Sequence, residues 1–123
     1  MRFRLVALAL AAALTAVGIT TGAIATTMAV PELHGTIGPG FTISLKDAHG
    51  KKVPTLKPGK YTFVVRDASN IHNFTLNGPG INNRTITDTS FVGTKTVTLT
   101  LKHGTYKFYC TVHPTIIGTF KVA

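Results

Sequence analysis

The rhythm of hydrophobic positions changes at Pro31. Beyond it no helical period survives, and short runs of Val, Thr, Ile, Phe and Tyr alternate with clusters of Gly, Pro, Asn and Asp, the pattern of strands broken by turns. The runs HGTIG, FTISLKD, YTFVVRD, HNFTLNG, RTITDTSF, TKTVTLTL, TYKFYC and GTFKVA predict strands, and AHGKK, KPGK, GPGINN and KHG predict turns between them. Alternation is clearest from Thr94 to Leu101, where Val97, Leu99 and Leu101 face one way and threonines the other. About eight short strands at this spacing predict an all-β fold, an antiparallel sandwich or barrel with Greek-key connections.

Two stretches match almost position for position: Leu56-Lys57-Pro58-Gly59-Lys60-Tyr61-Thr62-Phe63-Val64-Val65 and Leu101-Lys102-His103-Gly104-Thr105-Tyr106-Lys107-Phe108-Tyr109-Cys110. Each reads as a turn followed by a strand whose Tyr and Phe point inward. A tyrosine just after a glycine turn suits a corner in which its hydroxyl bonds back to nearby backbone. In the last column Val65 of one copy is Cys110 of the other, so Cys110 is expected at a core-facing strand position where the strand runs into a loop.

Before Pro31 the pattern differs. Arg2 and Arg4 precede an apolar run from Leu5 to about Ile19, and Ala23-Ile24-Ala25 supplies small residues, the order of a secretory signal peptide. The expected organisation is a signal peptide over 1–25, a linker over 26–31 and one domain over 32–123, the sandwich being preceded by an N-terminal hydrophobic helix. No charge lies between Arg4 and Glu32. Since a membrane span needs ~20 apolar residues, the alternative is a retained anchor through residues 5–30. Either way the domain is expected outside the cytoplasm, whether periplasmic, secreted or held on the outer face.

Cleavage after Ala25 would leave 98 residues carrying eleven Lys and Arg against Glu32, Asp47, Asp67 and Asp88, enough for one small core. The basic residues are scattered, with no Arg-rich or aromatic-interleaved patch, so no nucleic-acid partner is expected. A positive surface does favour acidic partners or an anionic membrane. The single cysteine excludes an internal disulfide. In an oxidising compartment a lone thiol is a liability unless something occupies it.

Cys110 and His113 sit at the mouth of one loop, and His72 begins another predicted strand. Taken alone, Cys110 reads as a small buried hydrophobe and His72 as a partly buried structural residue. Together they form a nitrogen–nitrogen–sulfur set able to meet at one end of a sandwich, the kind that suits electron-transfer copper. A metal-bound thiolate is deprotonated and capped by its ion. Zinc, with a water in the fourth position, is the other ion such a set accepts.

From Glu32 to Ala123 the chain resembles the cupredoxins, the family of plastocyanin, pseudoazurin and amicyanin. The resemblance is carried by His72-Asn73 and by Tyr106-x-Phe108-x-Cys110-Thr111-x-His113-Pro114, with Gly118 before the closing strand. It implies an eight-stranded Greek-key sandwich holding one type 1 copper through His72, Cys110 and His113. It also implies that Asn73 is hydrogen-bonded to Thr111, pinning the two ligand loops together. Val112 stands where many relatives have proline, leaving a backbone N–H for the sulfur. The family's axial methionine is missing: Met1 and Met28 are the only methionines, there is no Gln, and loop length puts Ile116, which cannot coordinate, at the axial place. His34, His49 and His103 match no family ligand. In the family the second histidine reaches the surface through an apolar patch, here Val112, Pro114 and a Gly-Pro-Gly loop.

The expected function is that of an exported, monomeric blue copper protein that carries single electrons to redox partner proteins. The alternative is a copper-binding module for storage or delivery. An apo sandwich serving adhesion would leave the three strong ligands a coincidence. A copper oxidase needs further histidines, no His-x-His occurs, and no oxyanion or orienting group accompanies the Cys–His pair, so no enzyme is expected.

Overall fold

The computed structural model describes residues 13–123. Eight strands follow in order: β1 (Glu32–Ile37), β2 (Ile43–Asp47), β3 (Gly59–Asp67), β4 (Phe74–Gly78), β5 (Ile81–Thr87), β6 (Gly93–Leu101), β7 (Gly104–Tyr109) and β8 (Ile117–Val122). They form two four-stranded sheets, ordered β2-β1-β3-β6 and β5-β4-β7-β8. The chain changes sheet between β3 and β4, between β5 and β6, and between β6 and β7. The Greek-key sandwich read from the sequence is therefore the observed architecture.

The structure corrects that reading in three places. One pairing is parallel: β1 runs alongside β3, with Leu33 opposite Phe63 and Ile37 opposite Asp67. Local alternation reports which face a residue occupies but not the direction of its neighbour strand. Second, residues 13–31 form neither helix nor strand and lie exposed. The expected hydrophobic helix is absent there, and its portion over residues 1–12 lies outside the described residues. The Thr and Gly residues between Thr15 and Thr27 are poor helix formers, and a lone helix without an apolar surface to pack on is marginal. No helix among the described residues is long and apolar enough to cross a membrane. Third, β5 starts at Ile81, so only Pro79-Gly80 of the predicted GPGINN turn is turn.

Alternating side chains from both sheets meet in one core. Leu33, Ile37, Leu45, Phe63 and Val65 come from one sheet, and Phe74, Leu76, Tyr106, Phe108 and Phe120 from the other. In β6, Val97 and Leu99 are half-buried and Leu101 buried, while the intervening threonines stay exposed, as their alternation predicts. Burying each large apolar side chain contributes about 1.5–3 kcal/mol. The aromatics form a connected row: Phe74 stacks on Phe108 at 5.8 Å, Phe108 lies 6.4 Å from Phe120, and Phe120 lies 5.3 Å from Tyr106. Glycines make room for the row. A Cβ at Gly118 would collide with the Phe108 ring and one at Gly78 with Tyr106. Gly118 thus lies inside β8, not before it, where it seats β7, the strand that leads into Cys110.

Both predicted tyrosine corners exist. Tyr61 Oη donates to the Lys57 carbonyl at 2.8 Å, and Tyr106 Oη accepts from Lys102 N at 2.9 Å. At the β2 turn, Asp47 Oδ1 accepts from Lys51 N (3.0 Å) and His49 N (2.9 Å). The Lys51 N–H leads in holding this carboxyl below the usual carboxylate range.

Candidate metal centre

One end of the sandwich is built by three loops. The first, residues 38–42, joins β1 to β2 and is closed by Gly38 N donating to the Thr42 carbonyl at 3.0 Å. The second, residues 68–73, follows β3. Ser69 N donates to Asp67 Oδ1 at 3.1 Å and Ile71 N to Ser69 Oγ at 3.3 Å, so short polar side chains turn the backbone there. His72 lies in this loop, two residues ahead of β4, and not on the strand predicted for it. The third, residues 110–116, joins β7 to β8. It is closed by Cys110 N donating to the Ile116 carbonyl (3.1 Å) and Ile116 N to the His113 carbonyl (2.9 Å). Cys110 accordingly stands just past the end of β7.

The loops bring His72, Cys110 and His113 together, with one ligand atom of each within 4.8 Å of the others. His72 Nδ1 is 3.0 Å from His113 Nδ1, and Cys110 Sγ is 3.8 Å from the first and 3.9 Å from the second. Donors held by one first-row ion at about 2.0–2.3 Å stand roughly 3–4 Å apart, so the set fits a shared metal. His72 and Cys110 are fully buried, and His113 is half-exposed. His72 Nε2 is buried without a hydrogen-bond partner. The polar contacts of this ring are therefore made through Nδ1, the atom facing the cluster. Two imidazole nitrogens and a thiolate in a trigonal set suit copper.

Asn73 ties the site together. Its backbone N–H donates to Cys110 Sγ at 3.4 Å. Its side-chain Nδ2 donates to Thr111 Oγ1 at 2.6 Å and to Thr89 Oγ1 at 3.3 Å, while Oδ1 accepts from Thr111 N at 2.9 Å and from Thr75 Oγ1 at 3.2 Å. The Asn73–Thr111 pair expected from the family pattern is thus formed, in both directions. The N–H expected from Val112 is not among the sulfur's hydrogen bonds. The chain turns outward after Cys110, leaving Thr111 and Val112 exposed, and Asn73 N supplies that bond instead. Ile116, expected at the axial place, is buried, and Ile117 is exposed. His34 pairs with Glu32 at 3.1 Å on an exposed face, and His49 and His103 are exposed; none joins the cluster.

Phe41 was not legible as part of the site. Its ring lies 5.1 Å from both the His72 and His113 rings, nearly perpendicular to each at 76° and 86°. In the sequence it reads as the first residue of the FTISLKD strand, with nothing local to place it over two histidines. The turn closed by Gly38 and Thr42 delays β2 to Ile43 and leaves Phe41 on the loop.

No family model and no curated protein matches the chain. Among solved structures it is similar to the copper protein rusticyanin determined at 2.1 Å, with 21% identity, a TM-score of 0.47, and coverage of 75% of this chain and 76% of that one. It is likewise similar to rusticyanin from Thiobacillus ferrooxidans, with 24% identity, a TM-score of 0.47 and the same coverage. On its own topology and donor set, this chain is a two-sheet Greek-key sandwich with a His–Cys–His cluster at one end that suits copper.

Proposed function

We propose that the chain is an extracytoplasmic type 1 copper protein that passes single electrons between partner proteins. The observation that supports this most is the convergence of His72 Nδ1, His113 Nδ1 and Cys110 Sγ at 3.0, 3.8 and 3.9 Å from one another, with His72 and Cys110 buried. Copper held by these residues would supply the one-electron couple. The protein's part is to hold the donors still while the charge changes. Asn73 fixes both ligand loops and donates to the sulfur, Ile116 fills the axial place without coordinating, and burial keeps the dielectric low. His113 is the one cluster residue that is not fully buried, so we assign it as the exit for the electron, bordered by Val112 and Pro114. Export by the N-terminal segment, cleaved or retained as an anchor, belongs to this reading, as do acidic partners for a chain of net charge +9. Copper storage or delivery is the competing reading.

Voltammetry separates the two. A carrier gives a reversible one-electron wave without losing its metal. An axial donor favours the more highly charged ion, so Ile116→Met, a volume-conserving change costing less than about 1.5 kcal/mol, should lower the potential and alter the spectrum while copper is retained. Release of copper on oxidation, or the lack of a reversible wave, contradicts electron transfer and favours delivery.

A further inference from the structure

The cluster offers three donors, and no other His, Cys, Asp or Glu among the described residues joins it. The residue expected at its axial place, Ile116, cannot coordinate. A metal with three protein donors readily takes a fourth ligand from solution when one can reach it, so the site needs protection that a coordinating side chain does not supply here. Phe41 is placed to give it. The ring touches both imidazoles edge-on at 5.1 Å, a favoured aromatic geometry, yet it is 67% exposed. An apolar ring so open to water contributes little to the core, and its aromatic contacts are with the two histidines of the cluster. The base of its loop is fixed against the loop that carries His72: a Cβ at Gly38 would come within 2.7 Å of Ser69 Cβ, and Ala68 N donates to the Ile37 carbonyl at 2.9 Å. The β1–β2 loop therefore carries an aromatic side chain from a fixed base onto the metal end.

We propose that Phe41 is a cap over the metal centre, excluding small ligands from the solvent side of the three-donor set. This rests on the functional reading above for the identity of the ion, but the cap itself can be tested without metal. In the metal-free full-length chain, Cys110 should be alkylated by iodoacetamide several-fold faster in Phe41→Ala than in wild type. Phe41→Tyr should restore the slow rate. Val92→Ala, which trims an exposed apolar residue on the β5–β6 loop, should leave the rate unchanged, as a nonspecific loosening would not. In the copper-loaded proteins, azide should leave the wild-type spectrum untouched and shift that of Phe41→Ala. Circular dichroism should be the same for all variants, because Phe41 lies outside the core.

Equal alkylation rates in wild type and Phe41→Ala would overturn the cap, as would a wild type whose spectrum already responds to azide. Failure of the wild type to take up copper would sink the electron-transfer reading alone, and the alkylation rates would still decide on the cap.

Discussion

The stretches Leu56–Val65 and Leu101–Cys110 begin alike and end differently. In both, a glycine at positive φ (149° at Gly59, 139° at Gly104) starts the strand and a tyrosine bonds to the backbone four residues back. A buried phenylalanine follows, and then a fully buried small residue, Val65 or Cys110. From there they part. β3 is paired on both sides, with Val65 opposite Gly35 and Lys95, and runs on to Asp67. β7 stops at Tyr109, and Cys110 N bonds instead to the Ile116 carbonyl within its own loop. A shared local pattern places a small side chain in the core. The ending of the ladder decides whether that side chain packs or faces a loop that can return a histidine to it.

This contrast can be broken most strongly at Asn73, the residue that holds the Cys110 loop in place of a β-ladder. Asn73→Ala strands Thr111 N and removes four side-chain hydrogen bonds. It should destabilise the metal-free protein by about 2–3 kcal/mol and lower copper affinity by roughly 10–100-fold. Urea unfolding and a competitive copper titration measure the two effects. An unchanged midpoint would mean that the loop holds itself.

A smaller effect sharpens the comparison at the two corners. The Tyr61 hydroxyl makes one bond, to Lys57, whereas that of Tyr106 accepts from Lys102 N and donates to the Pro79 carbonyl of the β4–β5 hairpin. Tyr106→Phe should therefore cost about 2 kcal/mol and Tyr61→Phe about 1 kcal/mol or less. Equal losses in thermal or urea unfolding would show that the link to Pro79 adds nothing.

Most of the sandwich was legible because Gly, Pro and Asn mark its turns and because β6 alternates cleanly. His72, Cys110 and His113 were legible because two imidazoles and a lone thiol able to meet at one end of a sandwich form a donor set that suits copper. What escaped depends on contacts distant in sequence. The parallel neighbour of β1 leaves no local trace. The N–H that reaches the sulfur belongs to Asn73, across the sandwich end, and not to Val112, two residues from the cysteine. Phe41 lies 31 residues before His72 and 72 before His113, so only the folded loop shows that it touches both. Over residues 13–31 the expected N-terminal helix does not form: its apolar composition suits burial, but Thr and Gly oppose helix beyond Thr15.

The central claim is that position 110, and not position 65, carries the chemistry. The direct measurement is the visible absorption spectrum of the copper-loaded protein beside Cys110→Val and the double variant Val65→Cys/Cys110→Val. Wild type should show an intense thiolate-to-copper band. Both variants should lack it while keeping an all-β circular dichroism spectrum, because a thiol at position 65 is buried but has no histidines around it. A colourless wild type that leaves Cys110 freely alkylatable in the presence of Cu(II), or a band that survives Cys110→Val, would contradict the account.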